Sequence, residues 1–223
     1  MDALNLADAG RVDTFIESQF FVGVDLGQSH DPTAVAIVER HSGHRLGWRG
    51  NVEQRFRPLY QVRYLERLPL QMAYPDQIAY VGSLLRREPL ASSTPDVLID
   101  YTGVGRPVFD MFKQARTPRV KGVTITSGNN PERTPVGWSV PKTILVSHVQ
   151  AKLHTGDLRI AKELSEAQTL TRELQDFRVR FTTAGNATFG AREGAHDDLV
   201  LAMAIAVFGG ENQQRVSIST LRL

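Results

Sequence analysis

Short runs of apolar and β-branched residues alternate with helix-spaced apolar residues along this chain. The clearest predicted strand is Phe20–Leu26, an apolar run that carries Asp25 near its end and is followed by Gly27. The other predicted strands are 33–40, part of 59–68, 96–100 and 120–126. The predicted helices are 75–87, 107–114, 141–155, 161–176 and 197–208, and a hairpin is predicted over 177–190. This order predicts an α/β domain with one mixed sheet of about five strands, helices on both faces and an added β-hairpin.

The two ends of the chain show weaker apolar patterning than its middle. Residues 1–19 are predicted to form a polar lead with one short helix over 12–17, and residues 210–223 a flexible tail. The folded domain is therefore predicted to span 20–209. Within it, polar loops are predicted at 41–50, 88–95 and 127–135. In the third strand, Val62 and Tyr64 share the two-residue spacing that places side chains on one face.

The composition excludes several kinds of structure and site but does not by itself indicate a function. The chain has 223 residues, 41% of them hydrophobic and 22% charged, which is ordinary for a globular domain. The absence of cysteine excludes disulfides and a thiolate metal site. No apolar run approaches the roughly 20 residues of a membrane span, and residues 1–18 do not resemble a secretory signal, so no membrane partner is predicted. A net charge of +2 permits nucleic-acid binding without requiring it.

Three carboxylate positions lie at the ends of predicted core elements. Asp25 ends the first strand, Asp100 ends the fourth, and Asp197 and Asp198 begin the last helix. Because ligand sites in such sheets gather beyond the strand ends, these side chains are predicted to converge. Each has an ordinary alternative: Asp25 can cap a turn, Asp100 can form an Asx-turn, and acidic residues favour helix starts. Convergent carboxylates suit two hard cations about 3.5–4 Å apart, which can hydrolyse a phosphodiester.

These motifs resemble the nuclease domain of tailed-phage terminase large subunits, which belongs to the ribonuclease H-like, resolvase-related superfamily. The matching stretches are Val22–Gly27 with Asp31–Ala34, Ile99–Gly105 and His196–Ala204. The resemblance runs from about Phe20 to Phe208. It implies a ribonuclease H-like fold and a DNA endonuclease that uses two Mg²⁺ or Mn²⁺ ions to cut concatemeric viral DNA during genome packaging.

The same resemblance assigns roles to residues and partners. It implies that Asp25, Asp100 and Asp198 bind the ions, with Asp197 as an adjacent catalytic candidate. It also implies double-stranded DNA as substrate, a terminase ATPase domain or small subunit and a portal as partners, and the cytoplasm of a bacterial host as location. The chain shows no Gly-x-x-x-x-Gly-Lys-Ser/Thr motif, so it is not expected to translocate DNA by itself.

Several other residues are candidates to support this chemistry. Lys142, Arg192 and Arg106 are the favoured contacts for DNA phosphates, although each could be a solvated surface charge. His196 could orient a carboxylate or transfer a proton, or simply pack at the start of a helix. Asp31 fits a turn, with a supporting role beside the ion-binding carboxylates as the alternative.

Three other readings remain open from the sequence, and one of them is an intact site that is silent without its motor domain. A junction-resolving nuclease on the same fold would cut four-way DNA junctions and would act as a dimer. An actin-like nucleotide-binding ATPase is the reading from another class, because Val24–Ser29 and Asp100–Gly105 resemble its two phosphate loops. Such ATPases need two domains of this kind, and this chain has room for about one.

Overall fold

The computed structural model describes residues 14–27, 31–46, 52–103, 105–176, 178–181, 187–190 and 197–212. Within these residues, nine strands form one sheet: β1 Thr14–Asp25, β2 Ala34–Leu46, β3 Val52–Arg55, β4 Leu59–Arg67, β5 Asp96–Asp100, β6 Val120–Thr126, β7 Glu132–Thr134, β8 Gly137–Pro141 and β9 Leu158–Ile160. Two more strands form a separate hairpin, β10 Arg178–Phe181 and β11 Ala187–Gly190. The helices are α1 Tyr74–Leu85, α2 Leu90–Ser93, α3 Gly105–Gln114, α4 Lys142–Thr155, α5 Ala167–Asp176 and α6 Asp198–Glu211.

The large sheet is mixed, as predicted. Its strand order is β7-β8-β6-β5-β1-β2-β4-β9, and β3 pairs with β2. Strand β1 lies at the centre, antiparallel to β2 and parallel to β5. Strand β6 continues the parallel part beyond β5. The C-terminal ends of β1, β5 and β6 therefore meet at one edge of the sheet, where such folds place their ligands.

The two faces of the sheet are buried under different helices, which confirms the predicted layers. On one face, Phe21 and Leu98 belong to a core that includes residues of α4, α5 and α6. On the other, Val22 and Ile99 pack with residues of α1 and α3. Successive side chains of a strand point to opposite faces, so odd positions of β1 and even positions of β5 face α6.

Helix α6 is the most deeply buried helix of the described part of the chain. Every residue from Asp198 to Gly210 is buried, because the helix crosses the middle of the sheet rather than lying at its rim. Small residues permit this close approach. A Cβ atom at Gly23 would lie only 2.0 Å from the carbonyl oxygen of Ala202. Among the described residues, no helix has the length and apolar character that crossing a membrane requires.

The edges of the sheet differ most from the sequence prediction. The predicted helix over 12–17 is wrong for residues 14–17, which belong to β1. Strand β2 continues to Leu46, through part of the predicted loop at 41–50. Strand β7 lies in the predicted loop at 127–135, and β8 follows it. The sheet therefore exceeds the expected five strands, because these short edge strands have too few residues to show a period.

Smaller corrections concern helix bounds and one strand face. Helix α5 begins at Ala167 rather than at 161, and the predicted loop at 88–95 contains the single turn α2. Val62 faces α6, whereas Tyr64 packs on the opposite face. The register between β2 and β4 shifts between Ile37 and Val38, which pair with Tyr64 and Val62. The two-residue alternation of β4 therefore breaks between Val62 and Tyr64.

Candidate active site

Asp25 and Asp100 lie side by side at the ends of two adjacent parallel strands. Gly23 of β1 is level with Leu98 of β5 in the parallel register, so two residues further along Asp25 is level with Asp100. Both side chains are on the face that carries α6, and the two carboxyl groups lie close enough for each to influence the pKa of the other. The backbone N–H of Thr102 also donates to Asp100 Oδ1 at 2.8 Å, so Asp100 forms an Asx-turn as well.

Helix α6 brings its N-terminus to this pair of carboxylates. The helix runs antiparallel to β1, because Gly210 lies against Phe21 while Ala202 and Ala206 lie against Gly23. Its first residues therefore approach the end of β1, at Asp25. Asp198 is the first residue of the helix and is 5% exposed. Four predicted site residues, Asp25, Asp100, Asp197 and Asp198, are thus gathered at one edge of the sheet.

The electrostatics of Asp25 and Asp100 reflect this crowding. Burial raises the pKa of the Asp25 carboxyl well above its usual value, and the charges of Asp100, Asp198 and Asp197 raise that pKa further. Burial also raises the pKa of Asp100, although hydrogen bonds from Thr102 and Asp25 oppose the shift. Several like charges in a partly dry site disfavour full ionisation, and added positive charge would relieve the repulsion.

Two cationic side chains meet the acidic residues at the start of α6. Lys142, the first residue of α4, donates from Nζ to Asp197 Oδ2 at 2.7 Å. Its charge also lowers the pKa of Asp25 and of Asp100. Arg67, the last residue of β4, places Nη2 3.7 Å from Asp198 Oδ2. Lys142, predicted to contact DNA, therefore lies at the carboxylate site itself.

Arg67 and Glu173 are site residues that the sequence analysis did not single out. Arg67 pairs with Ala34 of β2, and Ala34 pairs with Asp25 of β1, so all three are in one row across the sheet. Arg67 Nη2 also donates to Glu173 Oε1 of α5. Glu173 is 5% exposed. A signal for Glu173 exists in the sequence, because it follows Ala167 and Leu170 at helical spacing on the inward side.

Glu173 connects this cationic group to the backbone of α6. The backbone N–H of Val200 donates to Glu173 Oε2 at 3.0 Å. Burial raises the pKa of the Glu173 carboxyl to about 7, while the Val200 N–H and the charge of Arg67 act in the opposite direction. Asp197 occupies the cap position of α6 but makes no capping hydrogen bond with its side chain. Glu173 therefore satisfies an N–H in the first turn of α6.

These shifts predict how the stability of the metal-free protein depends on pH. For Glu173 the folded pKa of about 7 exceeds the ordinary value of 4.5, so the folded state binds a proton that the unfolded state releases between these pH values. The contribution of this proton to the free energy of unfolding is fully present below about pH 4.5 and is lost as the pH rises through about 7. Asp25 and Asp100 act in the same direction. We expect the melting temperature in EDTA to be roughly 5 °C higher at pH 5.5 than at pH 8. A melting temperature that is flat or falls over this interval would contradict the expectation.

The remaining predicted residues lie apart from the carboxylates or outside the described residues. Arg106 is exposed on α3, where its Nε donates to the hydroxyl of Tyr101 at 3.0 Å. Asp31 is exposed three residues before β2. Arg192 and His196 lie outside the residues that the structure describes, so their roles stay predictions. The predicted hairpin is present as β10 and β11.

Comparison with known proteins gives matches in structure but not in sequence. No protein-family model matches the chain, and no curated protein sequence matches it significantly. The large terminase nuclease of thermophilic phage G20c with bound magnesium is similar over 89% of this chain and 88% of that chain, with a TM-score of 0.55 and 19% identity. The large terminase nuclease domain of Thermus phage P74-26 is similar over 92% of this chain and 89% of that chain, with a TM-score of 0.56 and 18% identity.

A third similar structure is the large terminase nuclease domain of bacteriophage SPP1 with bound manganese. It matches over 87% of each chain, with a TM-score of 0.50 and 10% identity. The chain has the fold of large terminase nuclease domains. This likeness confirms the fold class that the sequence motifs predict, a mixed α/β fold shared with large terminase nuclease domains. At this level of identity the likeness concerns the fold, and the chemistry has to be argued from the site.

The acidic residues on this terminase nuclease fold suit hard divalent cations in their chemistry. Carboxylate oxygens are the ligands that Mg²⁺ and Mn²⁺ prefer, and the mutual repulsion around Asp25 favours a bound cation. In the part of the chain that the structure describes, no three histidine, cysteine or acidic side chains are grouped closely enough to hold one ion. Asp197 and Asp198 make ion pairs with Lys142 and Arg67 instead. A bound ion would therefore compete with Lys142 for Asp197, which is hydrogen-bonded, and with the more distant charge of Arg67 for Asp198.

Proposed function

We propose that this chain is a metal-dependent DNA endonuclease that cuts concatemeric viral DNA during genome packaging. The observation that carries the proposal is the pairing of Asp25 with Asp100 at the ends of β1 and β5, facing the acidic start of α6. The fold supports it, because the similar structures are nuclease domains and some contain magnesium, cobalt or manganese. Asp25, Asp100 and Asp198 are the proposed ligands, with Asp197 as a further catalytic candidate.

The chain's own residues provide a rigid acidic frame for this reaction. When bound, two Mg²⁺ or Mn²⁺ ions would activate a water molecule and stabilise the leaving oxygen of the phosphodiester. Asp25 is close to Asp100 and to the acidic start of α6, so it would hold the ions together with Asp100 and Asp198. Each carboxylate sits at the end of a buried element, which limits its movement. Lys142 balances negative charge at Asp197, and once released from Asp197 it would be available to bind a DNA phosphate.

The DNA is proposed to approach along the exposed edge beside the carboxylates. Arg106 is exposed on α3, which follows directly after the Asp100 turn, so a phosphate contact there would fit a duplex lying over the site. Arg192 precedes α6 in sequence and stays a predicted contact. The terminase fold further supports, as a proposal, an ATPase domain or small subunit and a portal as partners, in the cytoplasm of a phage-infected bacterium.

A plasmid-cleavage assay tests this function directly. We expect supercoiled DNA to be nicked and linearised with Mn²⁺ or Mg²⁺ and to stay intact with EDTA, because without ions the carboxylates cannot activate water. Adding excess Mn²⁺ to the EDTA reaction should restore cleavage. A four-way junction of matched length serves as a second substrate. Cleavage of the junction but not of linear duplex would replace the packaging nuclease with a resolvase, and no cleavage of either substrate would refute a nuclease.

A further inference from the structure

One hydrogen-bonded chain connects the outer helix α5 to the first turn of α6. Glu173 Oε2 accepts from the backbone N–H of Val200 at 3.0 Å, and Glu173 Oε1 accepts from Nη2 of Arg67. The orientation of the Glu173 carboxylate is thus fixed by the same helix that carries Asp198. Both carboxylates are 5% exposed, so neither can exchange its partners freely with water.

Arg67 is placed between these two carboxylates but is bound to one of them. Its Nη2 atom lies 3.7 Å from Asp198 Oδ2, which is within ion-pair range but beyond a hydrogen bond. The guanidinium group has five donors and matches a carboxylate well, so a small rotation would let it bind Asp198 directly. A divalent cation at Asp198 would then have to displace an arginine.

We propose that Glu173 is a positioning residue that holds the guanidinium of Arg67 at ion-pair distance from Asp198, short of a hydrogen bond, so that a divalent ion can compete for Asp198. This inference rests on the proposed function, since it concerns the availability of one proposed ligand. Glu173 does not touch substrate or ions in this account. It acts through Arg67, and the Val200 N–H holds it in the orientation that makes this possible.

The substitution Glu173→Gln separates this role from helix capping. The amide oxygen of glutamine can still accept from the Val200 N–H, so the cap of α6 is preserved. Its NH₂ group, however, would face the guanidinium with donor against donor, and Arg67 would turn to Asp198. We expect the Kd for Mn²⁺, measured by isothermal titration calorimetry, to rise about 10-fold or more. A purely structural role for Glu173 would leave that Kd unchanged in a variant that folds normally.

A second substitution, at Arg67, should restore the Mn²⁺ affinity that E173Q loses. In the double variant R67Q/E173Q the guanidinium that could turn to Asp198 is absent, so Mn²⁺ affinity should return to within about threefold of the original protein. R67Q alone should bind Mn²⁺ as tightly as the original or more tightly, because it removes a positive charge beside a proposed ligand. Weaker binding by R67Q would overturn the proposal even if E173Q failed to fold.

The control and the readouts distinguish this proposal from the function on which it rests. Glu163→Gln makes the same chemical change at an exposed position before α5 and should leave Mn²⁺ affinity unchanged. If the original protein binds Mn²⁺ and cuts DNA but E173Q binds Mn²⁺ equally well, this inference fails and the nuclease stands. If the original protein neither binds Mn²⁺ nor cuts DNA, the proposed function fails and this inference fails with it.

Discussion

Replacing Asp25 or Asp100 with asparagine should abolish DNA cleavage, with a loss of about 1,000-fold or more, while the protein stays folded. A neutral amide is a much weaker ligand for a hard cation than a carboxylate. Each residue is partly or fully buried beside the other, and an isosteric asparagine keeps the shape of the site. Cleavage of supercoiled plasmid in Mn²⁺ measures the loss, and circular dichroism measures the fold.

In these variants the melting temperature should stay the same or rise although DNA cleavage is lost. Burial and neighbouring carboxylates raise the pKa of Asp25, which means that its ionised form is costly in the metal-free protein. Asp25→Asn removes that charge, so its melting temperature in EDTA at pH 8 should equal or exceed that of the original protein.

A matched control separates the site from a general effect of charge. Asp110→Asn makes the same change at an exposed position on α3 and should leave cleavage unchanged. Wild-type-like cleavage by both D25N and D100N would remove the carboxylate mechanism. A melting temperature in EDTA that fell by many degrees in both variants would show instead that these residues hold the fold together.

The sequence could predict the carboxylate pair because local rules determine it. An apolar run that ends in aspartate places that residue at the end of a strand, and adjacent parallel strands end at the same edge. Asp25 and Asp100 needed only these two rules. Asp198 needed a third, that acidic residues favour the first turn of a helix. The resemblance to the family, whose motifs occur in the same order along the chain, then linked the three positions to one site.

Arg67 and Glu173 could not be found by the same rules. The register shift between Ile37 and Val38 changes which side of β4 faces α6, so alternation counted from Val62 points to Tyr64 instead of Leu65 and Arg67. Strand alternation carries no information about where a bulge falls. Glu173 shows a helix-spaced inward position, but only the tertiary structure identifies Val200 as the N–H that it binds.

Lys142 illustrates a residue whose position matters more than its residue type. Its place at the start of α4 is local, and it was predicted from the sequence as a contact for DNA. Its ion pair with Asp197 depends on the N-termini of α4 and α6 lying next to each other, although 55 residues separate the two in sequence. A lysine held by a proposed site carboxylate differs from one free at the surface, because a phosphate must compete for it.

The second large effect expected is loss of stability in Gly23→Ala. A Cβ atom at this position would lie 2.0 Å from the carbonyl oxygen of Ala202 and 2.8 Å from the backbone nitrogen of Ala206. Both are backbone atoms of a buried helix, so α6 itself has to move. We expect the free energy of unfolding to fall by about 3 kcal/mol or more and the melting temperature to fall by roughly 10 °C.

The same substitution at Gly82 is the control for Gly23→Ala. A Cβ atom at Gly82 of α1 would meet only the flexible end of Arg86, at 3.4 Å, so Gly82→Ala should be neutral or stabilise the helix slightly. Moving α6 away from β1 would also move Asp198 away from Asp25, so residual folded Gly23→Ala protein should bind Mn²⁺ more weakly. A melting temperature within about 2 °C of the original protein would mean that β1 and α6 are not packed this closely, and the convergence of Asp25 with Asp198 would lose its structural basis.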